Sequence, residues 1–491
     1  MSTAVKVTTL DGDSVNITTR ALEALSASID GAVLRPVDAG FDEAVRIWNG
    51  MISKRPAIVV QPVTVRDVQQ CVLFARANGL LLSIKSGGHN VAGTSLADGG
   101  LTVDMSRMRT VTVDSDHRRA QVGAGCLLGD VDRATQEHGL ATVLGSVSET
   151  GVAGLTLGGG FGYLSRRFGW TVDNLEEAQV ITADGEVRRA AGDEHDDLFW
   201  ALRGGGGNFG VVTRLTFRLH EVGPEITGGL ILWDADQADD VLTRYREVTE
   251  TAPRDMALFL VTRRAPAATF IPERWHGKPT IGILACHIGD PATAARDLAP
   301  IRAVGTPIAD VIVRKPYVEQ QSMVDASWPA GMHHYWKSEF LPRLSNELLD
   351  TYRQHGAEIT SPTSQAILFQ LGGATADHDS AATSSGNRDA AYVFFAAGCW
   401  APDAPEPEKH VAWARSASHA IRPYSTGGNY INAQTDDEGE SRIRDAYQDN
   451  HDRLAKVKNA YDPDNLFRVN RNITPAARLA TSSKQQRAAT R

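Results

Sequence analysis

The chain has 491 residues, 42% of them hydrophobic and 22% charged, and a formal net charge of −9. That length exceeds a single compact core and predicts two domains, while the acidic balance argues against a general nucleic-acid binder, which needs basic surface for phosphate contacts. No apolar run reaches the roughly 18–20 residues that cross a bilayer, and the opening MSTAVKVTTLDGDSVN lacks the basic and apolar parts of a secretory signal.

In chain order, FDEAVRIWNGMIS (41–53) reads as a helix entering the fold. PAIVVQPVTVRDVQQCVLFARANGLLLSIKSGGHN then reads strand, helix, strand, with Val68, Val72 and Ala75 at helical spacing. GLTVDMS, TVTVDSD and RAQVGAG follow as strands, and CLLGDVDRATQEHG as an amphipathic helix. AQVITADGEVRRA is a hairpin on its Asp-Gly turn, DLFWALRG a helix and GVVTRLTFRLHEV a long strand, so residues 1–222 form one α+β unit with its core over 54–222. From 223 to 423, strands such as MALFLVTRRA, TIGILACHIG and AAYVFFAAGCW alternate with helical segments, which predicts a second domain with helices on one sheet face. TADHDSAATSSGNRDAA reads as an exposed loop, residues 424–475 as a segment returning to the first unit, and 476–491 as a flexible tail.

Cys71, Cys126, Cys286 and Cys399 are scattered with no C-x-x-C pair. They read as packed thiols in a reducing, cytoplasmic setting, and no metal site is expected. GGGGNFG contains a literal G-x-G-x-x-G at Gly205, Gly207 and Gly210, but it follows a helix and opens a strand, the reverse of a Rossmann fingerprint. Together with SGGHN (86–90) and GSVSETGVAGLTLGGGFG (145–162) it makes three backbone-exposing segments. They either serve tight turns or line a long polyanionic ligand with backbone N–H groups, as a dinucleotide would require. On these grounds alone His89 is open to four readings: core residue, metal ligand, base or attachment point.

RPAIVVQP, SGGHN, DGGLTVDMSRM, TGVAGLTLGGGFGYLSRRFGWTVDNL, DLFWALRGGGGNFGVVT and YDPDNLFRVNRNI, in that order over residues 40–475, carry a resemblance. The chain resembles the covalent-flavin oxidoreductases of the vanillyl-alcohol-oxidase/p-cresol-methylhydroxylase (PCMH) superfamily, in the berberine-bridge-enzyme-like branch and nearest its bacterial, hydroxynicotine-oxidase-like members. The resemblance implies an α+β, two-domain PCMH-type FAD-binding fold whose substrate domain is an antiparallel sheet covered by helices. It implies FAD bonded through a ring nitrogen of His89, with walls from Ser86, Gly87, Gly88, Asn90, Val91 and Ala92. Further walls come from Gly145, Ser146, Val147, Thr150, Gly151, Gly154, Leu155, Gly159, Gly160 and Gly162, from Asn208, Gly210 and Val212, and from Tyr430, Asn432 and Asn470. The cysteine that tethers flavin a second time in many relatives falls here on Val147, so one covalent bond is expected. Thr150, at the position that controls oxygen access in the family, is small enough to favour an oxidase.

The implied activity is hydride removal from a CH–OH or CH–NH centre of a small aromatic or polycyclic substrate, with O2 as acceptor and hydrogen peroxide as product. A same-fold dehydrogenase, a flavoenzyme running a rearrangement, and a non-catalytic binding protein are the alternatives. The resemblance places Tyr430, in GGNYINAQ, as the base or as a ring packed on the flavin; as a base its phenol would need a cationic neighbour or a flavin contact to lower its pKa. The glutamate used by berberine bridge enzyme is replaced by Phe395, so Phe394 or Phe395 is an expected aromatic wall. In GMHHYWKSEFL, strand alternation sends His334 and Trp336 to one face and His333, Tyr335 and Lys337 to the other. Tyr335 and Lys337 are candidate catalytic groups, Lys337 as the cation that depresses a phenol pKa.

Overall fold

The computed structural model describes residues 4–477; the tail expected over 476–491 lies, from 478 on, outside the described residues. In the N-terminal half, strands Ile58–Gln61, Leu101–Asp104 and Leu82–Lys85 run parallel in a four-stranded sheet, and Ala32–Leu34 closes one edge antiparallel. The crossover between the first and third of these is helix Val65–Ala77. Thr64 and Asp67 form a capping box at its start, and Val68, Cys71, Val72 and Ala75 are buried one turn after another. A five-stranded antiparallel sheet runs in the order Val187–Ala191, Leu175–Ile181, Val211–Arg218, Arg119–Gly123 and Val111–Asp114. Its first two strands meet at the Asp184–Gly185 turn, where Gly185 has φ of 86°. One continuous apolar core joins both sheets.

Residues 41–53 depart from the expected helix. Only Phe41–Ala44 is helical. The chain then turns because its side chains are used elsewhere: Trp48 Nε1 donates to Trp328 O at 2.8 Å, and Asn49 Nδ2 to Val91 O and His334 O at 2.6 and 2.9 Å.

The second half is an eight-stranded antiparallel sheet, which includes Glu225–Asp234, Pro279–His287, Met256–Arg264, Gln365–Gln370, Tyr392–Trp400 and His333–Leu341 in that order. Alternation gives it two buried faces. Leu258, Leu260, Leu368, Phe394 and Tyr335 pack under helices including Ala238–Thr251, Asn346–Ala357 and Pro407–Ile421. Phe259, Val261, Phe369 and Phe395 turn the other way, against Phe161, Tyr163 and Trp170 of the glycine-rich segment. Helix His451–Tyr461 then carries Leu454, Ala455 and Val457 back into the first core.

The loop expected to be exposed is so only in part. Residues 376–382 face solvent, whereas Thr383–Arg388 are buried. Ser384 Oγ donates to Ala201 O, and Arg388 makes a two-pronged ion pair with Asp173 at 2.7 Å. Among the described residues no helix is long and apolar enough to cross a membrane.

Candidate active site

A cavity of about 690 Å³ lies where the glycine segments face the eight-stranded sheet, within the range of small-molecule and cofactor sites. All three glycine segments contribute to its wall: Gly87 and Gly88; Gly145, Gly151 and Gly154; Gly206, Gly207 and Gly210. The first two touch backbone to backbone, for a Cβ on Gly87 would sit 2.5 Å from Gly151 N and 2.7 Å from its Cα. Such a contact leaves main chain, rather than side chains, facing a ligand. The loop at 204–210 follows helix Asp196–Leu202 and precedes strand Val211–Arg218, so its glycines do not open a helix.

Ser86, Gly87, Gly88, His89, Asn90, Val91, Gly145, Ser146, Val147, Thr150, Gly151, Gly154, Leu155, Asn208, Gly210, Val212, Tyr430, Asn432 and Asn470 all line the cavity. Ala92, Gly159, Gly160 and Gly162 do not line this cavity. Ala92 is buried at 2% exposure, while the three glycines serve chain packing. Cβ atoms on Gly159 and Gly160 would meet Trp170, Ser385 and Thr171, and one on Gly162 would meet the Leu144 carbonyl.

Tyr335 and Lys337 lie apart from the cavity lining. Strand alternation turns them away from the cavity into an ion network. Lys337 Nζ donates to Asp437 at 2.9 Å, Glu438 at 2.7 Å and Thr435 at 2.8 Å, and the Tyr335 hydroxyl donates to Asp437 at 2.5 Å. Burial pulls the Lys337 ammonium down, but its bonds to Glu438 and Asp437 outweigh that and hold it above its ordinary value. Burial and the bond to Asp437 raise the Tyr335 phenol. Both groups are tied into this network of charges, and neither adjoins Tyr430. Their strand neighbour Trp336 and, one strand over, Phe395 are the residues that reach the wall; Phe394 points to the helices.

Tyr430 is 8% exposed. Its hydroxyl accepts from Asn432 Nδ2 at 3.0 Å, and Asn432 also donates to Leu155 O at 3.1 Å. Burial pushes the phenol up to about 12, the bonds from Asn432 and the Gly160 backbone offsetting only part of that. No cation adjoins it among the described residues, so the protein itself does not supply the lowering a base would need. Asn208 is fully engaged: it donates to Gly205 O and Arg471 O and accepts from Ile473 N, fastening the third glycine loop to the C-terminal segment.

His89 lines the cavity, and its Nε2 is buried without a hydrogen-bond partner among the described residues. Burial pushes the imidazole down to about 4, so it is neutral near pH 7. Its ring stacks on Trp48 at 4.1 Å, and the opposite face of Trp48 stacks on His334 at 3.6 Å, both within 16° of parallel. The three-ring stack was not foreseen, because its members stand at 48, 89 and 334 and no spacing rule links them. Other wall residues that were not foreseen are Arg263, Gln365, Trp328 and Arg471. Arg471 alone carried a signal, standing beside Asn470 in RVNRN.

Among the described wall residues there is no aspartate or glutamate, while Arg263, Arg471 and exposed main chain are present. That electrostatic balance suits a ligand with a pyrophosphate. The sequence model described as an FAD binding domain matches residues 56–191, and the one described as berberine and berberine like matches 429–474. (R)-6-hydroxynicotine oxidase of Paenarthrobacter nicotinovorans is 30% identical over 457 residues, 91% of this chain and 97% of that protein. The chain belongs to the berberine-bridge-enzyme-like FAD-linked oxidoreductases.

Solved structures superpose over nearly the whole length. The 6-hydroxy-D-nicotine oxidase from Arthrobacter nicotinovorans has a TM-score of 0.81 at 28% identity, with 91% of this chain and 98% of that one covered. Glucooligosaccharide oxidase from Acremonium strictum, whose FAD is described as 6-S-cysteinyl and 8α-N1-histidyl, has a TM-score of 0.82 at 23% identity, with coverage of 92% and 99%; it attests the fold. The berberine-bridge-enzyme-like fold here is thus the α+β PCMH type, and the chain is an FAD-linked oxidoreductase.

Proposed function

We propose that this enzyme is an oxidase carrying FAD bonded to His89 alone, and that it oxidises a CH–OH or CH–NH group of a small aromatic or polycyclic molecule. The observation that carries the reading is His89: a neutral imidazole on the cavity wall, braced by stacking rather than by a hydrogen bond at Nε2. A neutral ring keeps a nitrogen lone pair free for a covalent bond. Cys71, Cys126, Cys286 and Cys399 are all buried free thiols, and none is a wall residue. Val147 stands on the wall where a second tether would be needed.

FAD, when bound, would supply the hydride-accepting and oxygen-reducing chemistry, with hydrogen peroxide as the expected product. The protein's part is to hold, orient and dry the site. Main chain of the three glycine segments, with Asn470 and Arg471, would hold the dinucleotide. Phe259, Val261, Ile367, Phe369 and Phe395 would exclude water around an aromatic substrate. Tyr430, neutral at pH 7, would orient Asn432 and offer a hydroxyl to the substrate. Since the described wall has no carboxylate, an amine would bind as its neutral free base and lose only the hydride, whereas an alcohol would pass its hydroxyl proton to water as the hydride leaves. Thr150, small and on the wall, supports access for oxygen.

The test is acid precipitation of the purified protein, proteolysis and mass analysis. Flavin on the peptide containing His89 and on no cysteine peptide, with peroxide formed during turnover, is the expected result. All flavin in the supernatant refutes the tether, and turnover without peroxide refutes the oxidase.

A further inference from the structure

One row of the eight-stranded sheet breaks the apolar character of its cavity face. Arg263 lies directly across from Gln365, Gln365 from Ala397, and Ala397 from Trp336. Cross-strand partners of this kind share a face about 5 Å apart, and Arg263, Gln365 and Trp336 all line the cavity. Gln365 and Trp336 each offer a buried N–H with nothing to receive it, and Arg263 has N–H groups beyond the two its neighbours receive. Gln365 is 4% exposed and its Nε2 has no partner; Trp336 Nε1 is likewise buried and unpartnered. Of the five guanidinium N–H groups of Arg263, one meets Ser327 Oγ at 2.9 Å and one the Arg264 carbonyl at 3.3 Å.

No carboxylate of the described residues pairs with this half-buried arginine, which leaves its charge uncompensated on the cavity wall. Burial accordingly brings its guanidinium down to about 10. An arginine's planar fork matches a carboxylate in two-pronged fashion.

The neighbouring row toward the core is Val261, Ile367 and Phe395, again in direct register. Two residues along a strand is about 7 Å, so one aromatic body can lie on the apolar row while a substituent reaches the polar one. The polar row also lies at the His89 end of the cavity. Trp336 meets Trp48 edge-on at 5.6 Å, and Trp48 stacks on His89.

We propose that Arg263, Gln365 and Trp336 form a carboxylate subsite, and that the substrate of this enzyme is an aromatic acid. The proposal rests on the oxidase reading for the site's role, since it names the substrate class of that same cavity. Its physical content, recognition of an aryl carboxylate, is measured without turnover.

The experiment titrates the yellow holoenzyme with benzoate, benzamide and inorganic phosphate, following heat by calorimetry and the flavin absorbance. Benzoate is expected to bind at least about tenfold tighter than benzamide, the range of hydrogen bonds to a charged group, with phosphate not competing. Arg263→Met should erase the preference, Arg263→Lys should keep part of it, and Gln365→Leu should reduce it several-fold with the cation intact. Equal binding of benzoate and benzamide by wild type overturns the proposal, as does a preference that survives Arg263→Met. Competition by phosphate at the benzoate level overturns the aryl-carboxylate assignment in favour of a general anion site. Protein that purifies colourless yet prefers benzoate would sink the oxidase reading while upholding the subsite, so the two fail separately.

Discussion

Removing Trp48 tests whether His89 is held by the ring stack. Trp48 is 4% exposed, contacts an imidazole on each face and donates to the Trp328 carbonyl. Trp48→Leu keeps part of the apolar volume but loses both stacked contacts, each about 0.5–1.5 kcal/mol. It also leaves a carbonyl without its donor, at about 1 kcal/mol or more. The sum is on the order of 3 kcal/mol, inside the span of large core truncations. For a unit of this size that corresponds to a melting shift of about 6–12 °C. Trp48→Phe retains a ring between the two histidines and loses only the donor, so about 1 kcal/mol and a shift of roughly 2–4 °C are expected. Calorimetric melting gives the stability, and the fraction of flavin surviving acid precipitation gives the attachment. Attachment should fall in Trp48→Leu and stay close to wild type in Trp48→Phe. A Trp48→Leu protein that melts within a degree of wild type and keeps all its flavin would refute the reasoning.

Four further outcomes follow from the geometry. Gly87→Ala drives a Cβ into the Gly151 backbone, an overpacking of about 1–3 kcal/mol, and should purify with substoichiometric flavin by absorbance; full loading would contradict the close crossing. Tyr430→Phe removes a phenol that is neutral at pH 7, so kcat should fall about tenfold, short of the 10²–10⁴ of a lost general base, with the acid limb of the pH–rate profile unmoved. Thr150→Leu should slow reoxidation of dithionite-reduced enzyme by air in stopped flow, and an unchanged rate would remove Thr150 from the oxygen path. Burial holds the His334 imidazole down at about 3 against roughly 6.5 unfolded, so the unfolded chain takes up a proton that the folded one refuses. Stability is then lost as pH falls below about 6.5, by about 2 kcal/mol at pH 5, and His334→Phe should flatten that dependence in melting curves recorded between pH 7 and 5.

The parts of the fold that were legible from sequence are those in which one residue's neighbours in the chain are also its neighbours in space. Helix Val65–Ala77 shows its buried stripe in the spacing of Val68, Val72 and Ala75, and the Asp184–Gly185 turn announces its hairpin. The glycine segments were legible for a similar reason, since exposed main chain has to be written as glycine. What failed was local pattern overridden by distant partners. FDEAVRIWNGMIS has helical periodicity, yet Trp48 and Asn49 reach residues near 330, and the gain from those buried contacts exceeds that of two more helical turns. In the run at 333–337 the alternation was read rightly, but no local feature says which face meets the cavity. Asp437 and Glu438, a hundred residues away, supply the answer by neutralising Lys337.

The two buried faces of the eight-stranded sheet explain why that ambiguity arises here. A sheet with one wet face marks its core side by hydrophobic alternation, whereas here Phe394 and Phe395, or Leu260 and Val261, are equally apolar neighbours pointing to opposite sides. One face must be filled by helices for the sheet to be stable, and the other must stay partly unfilled for a substrate to enter. Polar side chains are therefore the informative ones on such a sheet. Lys337 faces the helices and meets its counter-ions there. Arg263 faces the cavity and meets none among the described residues. A half-buried cation on a cavity wall that folding leaves without a counter-ion gains most from an anion binding beside it, and that asymmetry between Lys337 and Arg263 separates a structural charge from one available to a ligand.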